Sequence, residues 1–367
     1  MRETMKGYMK LYTSLREKIT KGIYRRGDRL PSKRRMAEDS GYSVITVEHA
    51  CSLLAEEGYI EPRERSGYFV IYKESDTYPV SRAFRKMEKG ETIPIELREE
   101  GERDLFPFSA FAKTMRSVLS SYGRKILNPS PHAGCGELRE ALASYLARSR
   151  NMEVSPSQIL IGSGAEYLYG IHVQVLGREK IYGLENPSYE KIRKVYEASG
   201  VKVDMLSMGQ EGIRSEELER TEASVLHVTP FNSFPSGITA SASKRAEYID
   251  WMRRRKGYII EDDFDSEFTL LSKPEDTLFS LAPEAQVIYM NSFSKTIAPS
   301  VRAAYLVLPA ELVSLYERNA GFYSCTVPVF EQLVLAEFIE SGQFERHINR
   351  VRRRRRNQMG QSDLHKG

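Results

Sequence analysis

The chain has 367 residues, 41% hydrophobic and 28% charged, which is long enough for two or three ordinary domains and apolar enough to give each a core. No stretch approaches the roughly 20 apolar residues that a bilayer span needs, and the polar start MRETMKGYMK lacks a signal-peptide hydrophobic region, so the expected address is cytoplasmic with no membrane partner. Cys51, Cys135 and Cys325 lie far apart without a CxxC pair, which argues against a disulfide framework and against a metal site.

Charge is distributed unevenly along the chain. Residues 1–72 carry 14 Lys/Arg against 10 Asp/Glu, residues 73–345 carry 32 against 39, and residues 346–367 carry 8 against 1. Basic ends around an acidic middle fit a polyanion-binding head on a body with a different task, and on charge alone fit solvated helix faces equally well. In the head, YMKLYTSLREKITKG sets Leu11, Leu15 and Ile19 at helical spacing and stops at Gly22. A short helix follows the Pro-Ser start of GDRLPSKRRMAEDSG and ends near Gly41. A third begins at a Ser43 cap, places Val44, Val47, Cys51 and Leu54 at helical intervals, and breaks at Gly58. YIEPRE and GYFVIY then read as two strands joined by a basic turn from Arg63 to Gly67.

Helix, helix-turn-helix and hairpin is the order of a winged helix-turn-helix, and the stretch from Leu11 to Val70 resembles the GntR-type DNA-binding domain. Such a module brings a helix N-terminus to base edges while cations and backbone amides hold phosphates. The candidate contacts to double-stranded operator DNA are Lys33, Arg34, Arg35, Ser43, Thr46 and the wing-tip Gly67. Members of that family often carry arginine directly after the serine that starts the recognition helix and another basic residue near its fifth position; Val44 and Glu48 stand there in this chain. Singly, Arg34 also reads as a surface ion-pair partner and Ser43 as a plain helix cap.

Residues 73–94, polar and charged with two prolines, read as a linker. From Ile95 the composition turns globular. FSAFAKTMRSVLSSY and GELREALASYLARSR are amphipathic helices, while QILIGSG, KIYGLENPSY, VKVDML, SVLHVTP, GYIIEDDF and QVIYMNSF are short apolar runs between helices. That alternation argues an α/β domain on a largely parallel sheet, with ligand residues in loops at the carboxyl ends of strands.

Lys295 lies in MNSFSKTIAPSVRAAYLVLP. A lysine amine attacks an aldehyde when burial or neighbouring cations lower its pKa. Pyridoxal phosphate further needs anion binders for its phosphate, an acid for its ring nitrogen and a flat partner for its ring face. Ser163, Gly164 and Ala165 in GSGAEYL fall between a strand and a helix start, where amides can take phosphate. Ser292, Ser294 and Arg302 complete that set, Asp262 ends a strand run in IIEDDFDSE, and Tyr189 in ENPSY offers an aromatic face. Alone, Lys295 reads as a surface lysine and Asp262 as a strand-end carboxylate; in register together they read as a site.

From about Ile95 to His347 the chain resembles a fold type I, class I/II aminotransferase domain, and with its head it resembles the MocR subfamily of regulators. DLFPFSAFAK, GELREALASYLARSR, ENPSY, TPFNSFPSGITAS, IIEDDFDSEF and SFSKTIAPSVRAAYLVLP stand in the family's order and spacing. The resemblance implies a three-layer α/β/α body from 95 to 345. It also implies that Lys295 forms the imine with pyridoxal 5'-phosphate, Asp262 lies on the pyridine nitrogen, Tyr189 on the ring face, and Ser163, Gly164, Ala165, Ser292, Ser294 and Arg302 around the phosphate.

Three departures stand out. Phe264 replaces the tyrosine usual two residues after the pyridine-binding Asp, removing a hydrogen bond of roughly 0.5–1.5 kcal/mol. FNS, Phe231 to Ser233, replaces the usual SHQ, with Asn232 as a candidate compensating contact. Related proteins continue for about a hundred residues beyond HINRVRR, so most of the small C-terminal subdomain is expected to be missing. Residues 346–367 then read as a basic, disordered or truncated tail, in which Arg352 to Arg356 are a helix start or a nucleic-acid tail. The function implied is a homodimeric transcription regulator that senses an amine, an amino acid or the vitamin through Lys295, more sensor than catalyst. The alternatives are an active aminotransferase with an accessory DNA-binding head, or a decayed regulator without cofactor.

Overall fold

Two serines set the geometry of the head. Ser32 and Ser43, both with extended backbones, accept hydrogen bonds from the backbone N–H groups of Arg35 and Thr46, and so start the helices α2 (Lys33–Ser40) and α3 (Val44–Glu56). Between them, Gly41 ends α2 in the left-handed region at φ 70°. The computed structural model describes residues 7–64, 66–73, 106–269 and 275–364. Its contacts divide the chain into two units, 1–97 and 98–367.

In the first unit, α1 (Gly7–Thr20) lays Leu11, Tyr12, Leu15 and Ile19 against Val47, Ala50, Cys51 and Leu54 of α3. The strands β1 (Ile60–Arg63) and β2 (Gly67–Val70) pair antiparallel with Ile60 opposite Val70, and both end residues close the same core. An isolated bridge from Arg29 to Phe69 adds a third strand-like segment to this wing. The expected three helices and hairpin are therefore present. Of the expected linker at 73–94, only Lys73 is among the described residues, and the expected start of the body at 95–105 also lies outside them.

The second unit is built on an eight-stranded sheet of order β3-β10-β9-β8-β7-β4-β5-β6. Its strands are β3 (Ile159–Gly162), β4 (Ile181–Asn186), β5 (Lys202–Gly209), β6 (Gly212–Ile213), β7 (Val225–Val228), β8 (Tyr258–Asp262), β9 (Val287–Ser292) and β10 (Ala304–Val307). The central run from β5 through β4, β7 and β8 to β9 is parallel, while β10 runs antiparallel to both β9 and β3. Alternation fills both faces: Val287, Tyr289, Tyr305 and Val307 enter one core, and Ile288, Met290, Ala304 and Leu306 the other. The first core is roofed by α5 (Gly136–Arg150), α9 (Ala242–Arg255) and α13 (Val329–Glu340). The second is roofed by α6 (Ala165–Leu176), α7 (Glu190–Ala198) and α12 (Ala310–Asn319). These are the three layers that the resemblance implies. Further helices complete this unit: α4 (Phe108–Tyr122) packs on α13 through Val118, Leu333 and Val334, and the short α8 (Ser215–Arg220), α10 (Leu278–Leu281) and α11 (Phe293–Thr296) lie in connections.

The expectation of a disordered tail after residue 346 needs correction. Residues Gln343–Leu364 form the helix α14, because Phe344, Ile348 and Val351 fall at helical spacing and are buried, the first two in the first core. His347 Nε2 lies 2.8 Å from the Thr296 carbonyl, and Arg352 Nε donates to the Glu267 carbonyl. The arginine run is thus part of a docked helix, and residues 365–367 lie outside the described ones.

Candidate functional site

The register of three strands assembles one corner of the sheet. Ala304 of β10 stands opposite Gly162 of β3 and Ser292 of β9, so Ser163, Ser292 and Arg302 share the same end. There Gly164, at φ 95°, opens α6 just before Ala165. A Cβ at Gly164 would lie 2.6 Å from Arg302 Nη2, so only glycine lets the guanidinium rest against this loop. Arg302 Nη2 also pairs with Glu166 Oε2 at 2.8 Å, and Glu166 in turn binds Lys191 Nζ at 2.6 Å. That lysine and Arg302 hold the Glu166 carboxyl below its ordinary pKa. The Ser163 N–H donates to Thr326 Oγ1 at 3.1 Å, and Ser294 Oγ donates to the Val301 carbonyl at 2.9 Å, so its proton is directed into the loop.

Asp262 ends β8, the neighbour of β9. It is buried, and its Oδ2 accepts the Tyr169 hydroxyl at 2.7 Å and stands 3.5 Å from His227 Nε2. Behind it, the Tyr196 hydroxyl is 2.7 Å from His227 Nδ1 and 3.4 Å from His172 Nδ1. Burial, with a smaller contribution from His227, keeps the pKa of His172 well below its usual range, so this histidine is neutral. The next residue, Asp263, points to the opposite face, where it meets Arg150 at 3.3 Å and accepts the Tyr289 hydroxyl at 2.7 Å. The two-residue period of a strand thus divides adjacent carboxylates between two tasks, one under the sheet end and one in a buried ion cluster.

Lys295 lies in α11, half exposed, with Nζ 4.0 Å from Asp265 Oδ1. Asn232, at φ 48°, donates from Nδ2 to Asp265 Oδ2 at 2.6 Å, so the residue in the position of the family's His is tied to the acid that faces Lys295. Tyr189 caps α7 and meets Phe234 edge to face at 6.1 Å, with Lys191 Nζ 5.8 Å from its ring. Phe264 is half-buried. Tyr169, His227, Asp265 and Glu185 were not singled out from sequence. Tyr169 was legible in principle: it follows Ala165 by four residues in AEYLYG, which is one helical turn.

Pyridoxal phosphate can be tested against this corner. Arg302 lies against Gly164 with the α6 N-terminus behind it, a cation and a helix start that suit a phosphate. The buried acceptor Asp262 suits a protonated ring nitrogen, and the half-exposed Lys295 carries an amine of the kind an aldehyde needs. The residues fit the group.

In the head, Lys33 Nζ pairs with Glu48 Oε1 at 2.6 Å and lies 5.7 Å from the Tyr68 ring centroid. Arg34 and Arg35 are exposed at the start of α2. Ser43 Oγ and Thr46 Oγ1 are 2.9 Å apart at the start of α3, and Gly67 takes φ 98° at the wing. No group of His, Cys, Asp and Glu among the described residues could hold a metal ion. No helix among them is long and apolar enough to cross a membrane.

Comparison with known proteins gives a family match to each of the two units. The family of bacterial regulatory proteins, gntR family, matches residues 8–70, and aminotransferase class I and II matches residues 99–363. The uncharacterized HTH-type transcriptional regulator YdeL of Bacillus subtilis (strain 168) is 35% identical over 358 residues, covering 94% of this chain and 76% of that protein. The probable rhizopine catabolism regulatory protein MocR of Rhizobium meliloti is 30% identical, covering 94% and 74%. Among solved structures, the alpha-aminoadipate aminotransferase LysN of Thermus thermophilus, complexed with N-(5'-phosphopyridoxyl)-L-leucine, superposes with a TM-score of 0.61 at 28% identity, covering 68% of this chain and 64% of that one. With a gntR-family head followed by a class I and II aminotransferase domain, the chain belongs to the MocR-type family of HTH transcriptional regulators.

Proposed function

We propose that this regulator holds pyridoxal phosphate at the sheet corner and senses an amine or amino acid there, with Lys295 as the amine that the cofactor engages. The observation that carries the reading is the Arg302 guanidinium lying where a Cβ at Gly164 would fall, at a helix start on the same sheet end as Asp262. Bound there, the cofactor supplies an aldehyde that condenses with amines and an electron-withdrawing pyridine ring.

Each protein group then has a defined task. Arg302 and the amides around Gly164 hold the phosphate, and Ser292 lines the same corner. Asp262, fixed by Tyr169, would accept a hydrogen bond from the protonated ring nitrogen. Tyr189 offers its ring face, and Asn232 steadies Asp265 beside Lys295. A ligand amine that competes with Lys295 favours one arrangement of the body over another, and that preference is the free energy by which ligand and DNA occupancy are linked. In the head, Arg34, Arg35 and Lys33 meet phosphates, while Ser43, Thr46 and Gly67 set the approach of backbone to DNA. A homodimer suits paired half-sites on an operator.

The experiment is the visible absorption spectrum of the purified protein with added pyridoxal phosphate, beside a Lys295→Ala variant. A band in the parent that is absent in the variant supports the reading; no band in either protein refutes it. Amine addition that changes the band without producing a keto acid identifies a sensor rather than a catalyst.

A further inference from the structure

The first turn of α3 carries an unusual base-facing surface for a DNA-binding head. Val47, Ala50, Cys51 and Leu54 point into the core. On the outward side of the helix lie Ile45, Glu48 and His49, and Val44, in register with the core residues Val47 and Cys51, stands exposed at the helix start; none of the four is Lys or Arg. Glu48 is held by Lys33 at 2.6 Å, and the His49 ring stacks its face on Tyr8 at 4.2 Å between centroids. Two aliphatic side chains stand exposed at the helix start. Ile45 is 79% exposed and Val44 42%, at the first two positions of the helix.

An exposed aliphatic side chain is ordinary in itself; its position is what matters. In a helix-turn-helix the N-terminal residues of the second helix contact base edges in the major groove. Guanine offers two acceptors there and asks for a bidentate donor, whereas thymine offers a C5-methyl group that asks for an apolar neighbour. This face has the second chemistry and lacks the first. Positive charge is supplied from beside it, by exposed Arg34 and Arg35 on α2, where it can meet phosphates without reading sequence.

We infer that Ile45 and Val44 read thymine methyl groups in the major groove, so that the operator half-site is chosen by apolar contact rather than by hydrogen bonding to guanine. Glu48, neutralised by Lys33, sits beside them without repelling the backbone. The inference rests on the family's DNA binding and adds the base that it selects.

The test uses the full chain and a randomised duplex pool carried through rounds of binding and amplification. The enriched duplex is resynthesised with deoxyuridine for thymidine in each half-site, which removes only the methyl groups. Each lost methyl contact should weaken binding roughly three- to fivefold. Ile45→Ala, a change at a solvent-exposed position, should bind the thymidine and deoxyuridine duplexes with nearly equal affinity, with the salt dependence of binding unaltered. Val44→Ala should narrow the same difference to a smaller extent. An enriched consensus built on guanine or cytosine, equal affinity of the parent for both duplexes, or a full thymidine preference retained in both variants would each overturn the inference. Salt-sensitive binding to the unselected pool reports the family's DNA binding separately; its absence would overturn that reading and this one together.

Discussion

The Tyr169 hydroxyl, one turn into α6, donates to Asp262 Oδ2 at the end of β8 across 2.7 Å. Both groups are buried, and burial first, then the neighbouring Asp262, raises the tyrosine pKa well above its usual value, so it stays a donor. Tyr169→Phe keeps the ring and removes the bond, worth roughly 0.5–1.5 kcal/mol. Cofactor titration should therefore show a loss of affinity between about twofold and about tenfold, with DNA affinity of the cofactor-free protein unchanged. An unchanged cofactor affinity would mean that Asp262 needs no such support.

Gly164→Ala should act on the phosphate corner. The position has φ 95°, and the new Cβ would fall 2.6 Å from Arg302 Nη2. Strain at a left-handed position costs of order 1 kcal/mol or more, and Arg302 must move. Thermal melting should show the stability loss, and inorganic phosphate should compete less with the cofactor than in the parent.

Glu185 makes the stability of the body depend on pH. Its carboxyl is buried, accepts the Thr229 N–H at 3.0 Å and the Ser233 hydroxyl at 2.6 Å, and is pushed up to about 7 by burial. In the unfolded chain it ionises near the ordinary carboxyl value of about 4.3. Between those limits the folded state holds the extra proton, so stability falls as pH rises from about 4.3 to about 7 and levels off above. Buried Glu261 and Glu267, pushed up to about 8 and about 7, add slopes of the same sign. Glu185→Gln should flatten its share, on the order of 3 kcal/mol across that interval, measurable as denaturant midpoints at a series of pH values. Parallel curves for parent and variant would contradict this account.

Arg34→Ala and Arg35→Ala should weaken DNA binding evenly across sequences. Each loses about one phosphate contact, so each should lower the slope of log affinity against log salt by about 0.9. A variant that changes sequence preference and leaves the slope intact would place its arginine on a base.

Much of this was legible from the chain itself. Leu11, Leu15 and Ile19 carry a helical period that survives in the structure because local periodicity and burial agree there. The strand-to-helix step in GSGAEYL is legible in the same way, and Gly164 opens α6 there at φ 95°. At the end of the chain, Arg352 to Arg356 read as a helix start or a nucleic-acid tail; they lie in a helix, which Phe344, Ile348 and Val351 anchor by burial. A short apolar stripe inside a strongly basic segment has too little contrast to announce burial.

By itself, the sequence determined which local pieces form and in what order, since periodicity, caps and glycines act over a few residues. Tertiary structure alone decided which side chains answer one another. Tyr169 meets Asp262 across 93 positions and Glu185 meets Ser233 across 48, because a parallel sheet with crossover helices brings distant strand ends to one edge. Such partners leave no period in the chain; they follow from strand order and from which face each residue takes.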